Sequence, residues 1–323
     1  MTTHAATLAD IRAAARRIAP YAHRTPVMTC KTIDDRAGRK LFFKCEHLQK
    51  IGAFKFRGAC NAVMKLSDEE AARGVVTHSS GNHAQALALA AKLRSIPAHI
   101  VMPRTAAPIK REAVRDYGAV IYECEPNTQA RESTAAQVQK STGATLIHPY
   151  DNADIIAGQG TAALELLEEI SDLDAIIAPI GGGGLMSGSA IAANSLRPAI
   201  RIFGAEPLGA DDAARSKAAG QWVAQTNPQT MADGLLTSTG ELTWPVIRDL
   251  VERIFTVTEA QIASAMRLTW ERAKLLIEPS SAVAVAAVLT EEFKSLRGVE
   301  RIGIILSGGN VSLDKLPWQV NDR

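Results

Sequence analysis

The stretch Ala175-Ile176-Ile177-Ala178-Pro179-Ile180-Gly181-Gly182-Gly183-Gly184-Leu185 decides the fold. A short apolar run meets four consecutive glycines, and a small-residue, apolar segment follows to about position 196. An unbroken apolar run closed by turn residues predicts a strand buried on both faces. The glycines predict a tight turn into a helix, and a second strand is predicted at 201–205. Strand, turn, helix and strand in this order form a βαβ unit, whose strands are parallel.

The same alternation extends in both directions. Strands are predicted at 40–45, 74–77, 98–101, 118–124, 145–148 and 301–306. Helices are predicted at 83–94, 108–117, 129–142, 160–170, 259–273 and 280–293. An amphipathic helix near the start is capped at Thr7 or Asp10. The pattern means an α/β protein with parallel sheets and helices on both faces. Residues 211–233 carry the weakest pattern and read as an irregular excursion.

The 323 residues suit one large or two interleaved domains. Hydrophobic residues at 46% and charged residues at 22% exclude a disordered chain. With 36 Lys and Arg against 34 Asp and Glu, the net charge of +2 points neither to nucleic acid nor to an anionic membrane. No apolar run reaches the roughly 20 residues of a membrane span. The N-terminus lacks the apolar segment of a secretory signal. Cys30, Cys45, Cys60 and Cys124 match no zinc spacing and read as reduced thiols, so a cytoplasmic enzyme is expected; a transit peptide carrying Arg12, Arg16 and Arg17 is the lesser alternative to a plain amphipathic helix.

Four segments read as turns at the carboxyl ends of strands, each followed by a helix. They are Ser79-Ser80-Gly81-Asn82-His83, Gly158-Gln159-Gly160-Thr161, Gly181–Gly184 and Ser307-Gly308-Gly309-Asn310. Such turns bind ligands in open α/β sheets, and a helix N-terminus favours an anion. The glycine run lacks the Lys-Ser or Lys-Thr of a P-loop. A dinucleotide fold stays open, because Glu206 follows the second strand at a Rossmann-like distance; the contiguous glycines fit a single phosphate better. Lys55 lies between Phe54 and Phe56. Apolar flanks lower an amine's pKa and make it a better nucleophile. A phosphate site with such a lysine points to pyridoxal phosphate (PLP).

These motifs carry a resemblance. Lys55 in Gly52-Ala53-Phe54-Lys55-Phe56-Arg57-Gly58-Ala59, together with the four segments above, resembles the serine racemase and serine–threonine dehydratase family of fold-type II (tryptophan synthase β-like) PLP enzymes. The resemblance runs from about Thr25 to Val311 and looks closest to serine racemases and 3-hydroxyaspartate dehydratases. No C-terminal regulatory domain is in sight.

The resemblance implies roles. Lys55 forms the Schiff base and then acts as a base. Gly181, Gly182, Gly183 and Gly184 bind the phosphate. Asn82 bonds the ring 3′-oxygen, Phe54 packs on the ring, and Ser307 meets its nitrogen. Gly234 and Glu278 lie near the cofactor. Ser79, Ser80, Gly81, Asn82 and His83 hold the substrate carboxylate, and Ser80 faces Lys55 across the ring. Glu206, Asp212 and the Ala210 carbonyl match a divalent-cation site for Mg²⁺, Mn²⁺ or Ca²⁺; on spacing alone they are an acidic loop. Lys50, Gln85, Tyr117, Lys274 and Asn310 match an ATP site at a subunit interface, and each also has an ordinary surface explanation. A homodimer follows from the family.

Arg131 carries the substrate expectation. An arginine fork suits a second carboxylate, and Tyr150 stands where animal serine racemases carry asparagine. The expected reaction is β-elimination of 3-hydroxyaspartate to iminosuccinate, then oxaloacetate and ammonia. Serine racemisation or serine and threonine dehydration on the same site is the alternative; an NAD-dependent oxidoreductase is a more distant one. Residues 1–73 and 152–323 are expected to form a large PLP-binding domain, and 74–151 a small one that closes on the substrate.

Overall fold

The computed structural model describes residues 4–106 and 108–319. Their strands form two sheets. β1 (Val27–Met28), β2 (Lys40–Cys45), β7 (Ala175–Pro179), β8 (Arg201–Pro207), β9 (Arg253–Val257) and β10 (Arg301–Leu306) make one, in the order β1-β2-β10-β7-β8-β9. β3 (Val75–His78), β4 (Ala98–Pro103), β5 (Val120–Cys124) and β6 (Thr145–Leu146) make the other, in the order β5-β4-β3-β6. Every neighbouring pair is parallel except β1 on β2.

The six-stranded sheet is covered on both faces. On one, the helix Pro279–Val288 is apolar all round because it is buried among Phe43, Phe203, Phe255 and Phe293. The rings of Phe203, Phe255 and Phe293 meet edge-on or tilted, with centroids 5.0 to 5.7 Å apart. On the other face lie the helices Ala153–Glu169 and Gly184–Leu196. The helix Lys55–Lys65 joins the two units. Its Phe56, Ala59, Cys60 and Val63 enter the core of the four-stranded sheet, and it packs against the helices Asn82–Arg94 and Ala153–Glu169.

The N-terminal helix is Leu8–Ile18, with Thr7 and Asp10 forming a reciprocal capping box. The four cysteines are unpaired, and among the described residues no helix is long and apolar enough to cross a membrane.

Two of the four expected turns are different objects. Gly158-Gln159-Gly160-Thr161 lies inside the helix Ala153–Glu169. A Cβ on Gly158 would come within 2.5 Å of Gly58 Cα, and one on Gly160 within 2.7 Å of the Gly188 carbonyl. These glycines let three helices approach closely; they cradle nothing. Ser307-Gly308-Gly309-Asn310 does end a strand, but among the described residues only a short 3-10 turn, Leu313–Lys315, follows it and no α-helix. β6 stops at Leu146 instead of His148, and the excursion after Glu206 contains a helix, Asp212–Ala219.

Candidate active site

Lys55 is placed by the end of β10. Phe54 N donates to the Ser307 carbonyl at 3.0 Å, Gly309 N donates to the Gly52 carbonyl at 2.9 Å, and Ala53 bridges Gly308. The strip 52–54 is thus held along the strand end, and the helix begins at Lys55. Its amine donates to the Pro149 carbonyl at 2.9 Å and stands 5.1 Å from the centre of the Phe54 ring. Burial lowers the amine to about 8, against the pull of the Glu278 carboxylate. A substantial neutral fraction at mild pH is what a nucleophilic or basic lysine needs.

The amine opens into a cavity of ≈ 340 Å³. The expected cofactor and substrate residues all border it: Phe54, Ser79, Ser80, Gly81, Asn82, His83, Arg131, Tyr150, Gly181–Gly184, Gly234, Glu278 and Ser307. Both sheets contribute through the carboxyl ends of β3, β7 and β10, which is where open α/β sheets bind ligands.

The glycine run begins the helix Gly184–Leu196 with no side-chain cap. Its first amides therefore have no partner within the helix. Gly183 has φ +88°, and a Cβ there would come within 2.8 Å of Ile247 and Thr243. A Cβ on Gly182 would overlap the Tyr150 ring, and one on Gly184 would lie 3.1 Å from Tyr150 Cβ. The run is glycine partly to free amides for an anion and partly to admit Tyr150 beside it. Burial pushes the Tyr150 phenol up to about 12, so it stays protonated.

The cavity floor is a small amide–carboxyl network. Asn82 Nδ2 donates to both Glu278 oxygens at 3.1 and 3.3 Å, and Asn310 N donates to Glu278 at 3.0 Å. Asn310 Nδ2 donates to Asn82 Oδ1 at 2.9 Å, which fixes the amide's orientation. Burial, helped by Asp233, raises Glu278 to about 7. Gly234 N donates to Ser280 Oγ at 3.0 Å. Ser307 is buried, and its hydroxyl has no partner among the described residues. Ser80 likewise has a free hydroxyl.

A pyridoxal phosphate fits these groups. An uncapped helix start suits the phosphate, a neutral-prone amine suits the aldehyde, and a free buried hydroxyl suits the ring nitrogen. A hydroxyl offers the nitrogen no negative charge, unlike a carboxylate.

Arg131 stands in the first turn of the helix Thr128–Thr142. Its Nε is buried without a partner, and no carboxylate among the described residues lies within ion-pair distance. The sequence reading overlooked two other cavity features. Lys110 Nζ pairs with Asp233 Oδ2 at 2.6 Å, joining the four-stranded unit to the six-stranded one across the cavity. His78 and His148 line the wall with ring centroids 5.4 Å apart.

The other expected groups lie elsewhere. Glu206, Ala210 and Asp212 are buried beside the helix Asp212–Ala219. Glu206 accepts from Ala213 N at 3.2 Å and Ala214 N at 2.8 Å. It is thus turned into a helix start, away from the ribose-binding role a dinucleotide fold would give it. Burial and the neighbouring Asp212 push Glu206 well above the carboxylate range; burial pushes Asp212 to about 6. Asp212 Oδ1 is buried and unpartnered. Among the described residues no group of three or more His, Cys, Asp or Glu side chains is arranged for a metal. Of the five nucleotide candidates only Asn310 borders the cavity. Lys50 stands over the Phe56 ring, Tyr117 packs under Lys92, and Lys274 bonds the Glu271 carbonyl; Gln85 lies on the helix Asn82–Arg94.

Comparison with known proteins agrees with this geometry. The family model "Pyridoxal-phosphate dependent enzyme" matches residues 18–308. A serine racemase of Dictyostelium discoideum is 52% identical over 317 residues, spanning 98% of either chain. A beta-hydroxyaspartate dehydratase of Paracoccus denitrificans (strain Pd 1222) is 50% identical over 312 residues, spanning 97% of this chain and 98% of its own. The solved structure of maize serine racemase superposes with a TM-score of 0.95 at 53% identity, over 96% of this chain and 95% of that one. A lysine amine beside an uncapped glycine-rich helix start, on a chain matched over almost its whole length, has one reading: this protein belongs to the family of pyridoxal-phosphate dependent enzymes.

Proposed function

We propose that the chain is an ammonia-lyase that eliminates the β-hydroxyl of 3-hydroxyaspartate. The observation that carries this reading is Arg131. A guanidinium with a buried, unpartnered Nε borders the same cavity as the Lys55 amine. A second substrate carboxylate would complete it with charge-assisted hydrogen bonds. Plain serine would leave it unpaired, at a cost.

The residues divide the work. Gly181–Gly184 and the helix start behind them hold the cofactor phosphate, Asn82 and Ser307 address the ring, and Phe54 packs on it. The cofactor, when bound, supplies an electron sink for the pair left behind by the α-proton. Lys55 would hold the cofactor aldehyde, and its neutral-prone amine is the base that would take the proton from the substrate α-carbon. The amides of Ser79–His83 hold the α-carboxylate. Loss of water leaves an enamine whose tautomer, iminosuccinate, hydrolyses to oxaloacetate and ammonia. Residues 74–151 would act as a closing domain, with Lys110 and Asp233 meeting across the opening, so that water is kept from the substrate and the Lys55 amine.

Racemisation of serine is the second reading. It is favoured by Ser80, whose free hydroxyl could return the proton that Lys55 removes. The serine racemases among the relatives support it equally. In both readings Glu206, Asp212 and the Ala210 carbonyl hold a structural Mg²⁺ or similar cation. ATP at the Lys50–Gln85–Tyr117–Lys274–Asn310 set, a homodimer and a cytoplasmic location complete the proposal.

The test measures 2-oxo acid formation from L-threo- and L-erythro-3-hydroxyaspartate, L-serine and L-threonine, with wild type and Arg131→Ala. One hydroxyaspartate is expected to lead by kcat/KM, and Arg131→Ala to remove that lead. A charge-assisted bond of about 1.5–3 kcal/mol corresponds to a loss of about 10- to 150-fold. Equal losses on all substrates would make Arg131 structural and return the enzyme to serine.

A further inference from the structure

The chain passes from the four-stranded sheet to the helix Ala153–Glu169 through residues 147–152, and His148 sits at the start of this crossing. Its Nδ1 accepts from Asp151 N at 2.9 Å and from Tyr150 N at 3.4 Å. A nitrogen that accepts carries no proton, so the neutral ring bears its proton on Nε2. The loop so folded presents two groups. The Pro149 carbonyl accepts from the Lys55 amine at 2.9 Å. The Asp151 carboxylate accepts from Leu242 N at 2.8 Å and Glu241 N at 3.1 Å, beside Thr243, whose hydroxyl donates to the Gly182 carbonyl at 2.8 Å. One imidazole thus holds the loop whose Pro149 carbonyl meets the amine and whose Asp151 carboxylate meets the segment bonded to the glycine run.

We propose that His148 is a positioning residue: by accepting the Asp151 and Tyr150 amides it locks the interdomain crossing that sets the Lys55 amine and the glycine run at a fixed separation. The groups facing it are the His78 ring, the Tyr150 ring at 4.6 Å, Lys55 and His83. Burial first, then the His78 and Lys55 charges, lower His148 to about 4, so the acceptor persists throughout the neutral range. Such a residue touches no reacting atom; it holds two binding groups in the geometry a rigid cofactor requires, which preorganises the site. The inference rests on the cofactor family alone and holds whichever amino acid is the substrate.

The test compares His148→Asn, whose carboxamide oxygen can accept the same amides, with His148→Leu and His148→Phe, which keep bulk or ring contacts but accept nothing. Two readouts need no turnover: amide hydrogen exchange of peptides covering residues 150–151 in the full-length chain, and the dissociation constant of pyridoxal phosphate. His148→Leu and His148→Phe are expected to exchange at least tenfold faster there and to bind the cofactor at least tenfold more weakly. His148→Asn is expected to stay within threefold of wild type in both. Wild-type exchange and affinity in His148→Phe would overturn the proposal, because ring packing would then suffice. Damage to His148→Asn equal to that of His148→Leu would overturn it too. Should His148→Leu and His148→Phe fail to fold, the asparagine variant decides: wild-type values support the lock, and loss of both overturns it.

Discussion

Arg57 and Glu46 face each other with no solvent-exposed surface on either side chain, Nε and Nη2 of the guanidinium donating to the two carboxylate oxygens at 2.7 and 2.9 Å. Arg57 also reaches Glu165 at 2.8 and 2.9 Å, and Lys44 bonds the same Glu165 at 2.6 Å. Two cations thus meet two carboxylates in the interior, two residues along the helix from Lys55. Breaking a buried pair strands the other charge, which costs about 3–5 kcal/mol. Glu46→Gln is therefore expected to lose about that much in urea-induced unfolding. Arg24→Ala, which removes an exposed pair with Glu168, is expected to lose less than about 1 kcal/mol. Comparable losses would mean the interior network is not paired as described.

Tyr150 and the glycine run make a second prediction. Alanine at Gly182 places a methyl inside the Tyr150 ring, so the loop or the helix start must shift. Overpacking of this kind costs about 1–3 kcal/mol. Gly182→Ala is expected to weaken pyridoxal phosphate binding at least tenfold. In a Tyr150→Ala background the same change is expected to cost threefold or less, since the clash is gone. A binding loss that is equal in both backgrounds would place the cause in the anion cradle alone.

The βαβ unit at 175–205 was legible because its signals are local: an apolar run, glycines and a helix follow one another in the chain. The glycines at 158 and 160 misled for the same reason. A glycine that permits a turn and one that permits two helices to touch look alike in sequence, and only Gly58 and Gly188, distant in the chain, tell them apart. Arg57 went unread because its partners lie 11 and 108 positions away. A signal existed in Lys44, a charge inside the strand Leu41-Phe42-Phe43-Lys44-Cys45, which demands a buried partner. His148 read as the end of a strand; its role comes from amides two and three residues on, a contact that composition does not encode.

Glu206 and Asp212 yield a prediction about metal. Two buried carboxylates with one orphaned oxygen repel each other, and a divalent cation accepting both would relieve this. Mg²⁺ or Ca²⁺ at millimolar concentration is expected to raise the melting temperature by a few degrees. Chelation is expected to lower it again. Asp212→Asn should abolish the response while leaving a folded protein. An unchanged melting temperature in wild type would leave Glu206 as the acceptor of the amides that open the helix Asp212–Ala219 and Asp212 as the acceptor of Thr239 N.

The Lys55 amine sets a pH dependence whose sign can be worked out. Burial takes it from 10.5 in the unfolded chain to about 8 in the folded one. Below about 8 both forms are protonated, and the folded state carries a buried ammonium. Between about 8 and 10.5 the unfolded chain binds the proton and the folded chain does not. Stability of the cofactor-free protein contributed by this group therefore rises with pH across that window. Capture of the cofactor aldehyde needs the neutral amine, so its rate is expected to climb about tenfold per pH unit below about 8 and then level off. Glu278 pulls the other way, because its negative charge favours the ammonium. Glu278→Gln is thus expected to move the inflection to lower pH. Stopped-flow absorbance of the cofactor-free protein mixed with pyridoxal phosphate reads both profiles. An inflection near 10.5 would mean that the amine is hydrated and that burial does not govern it.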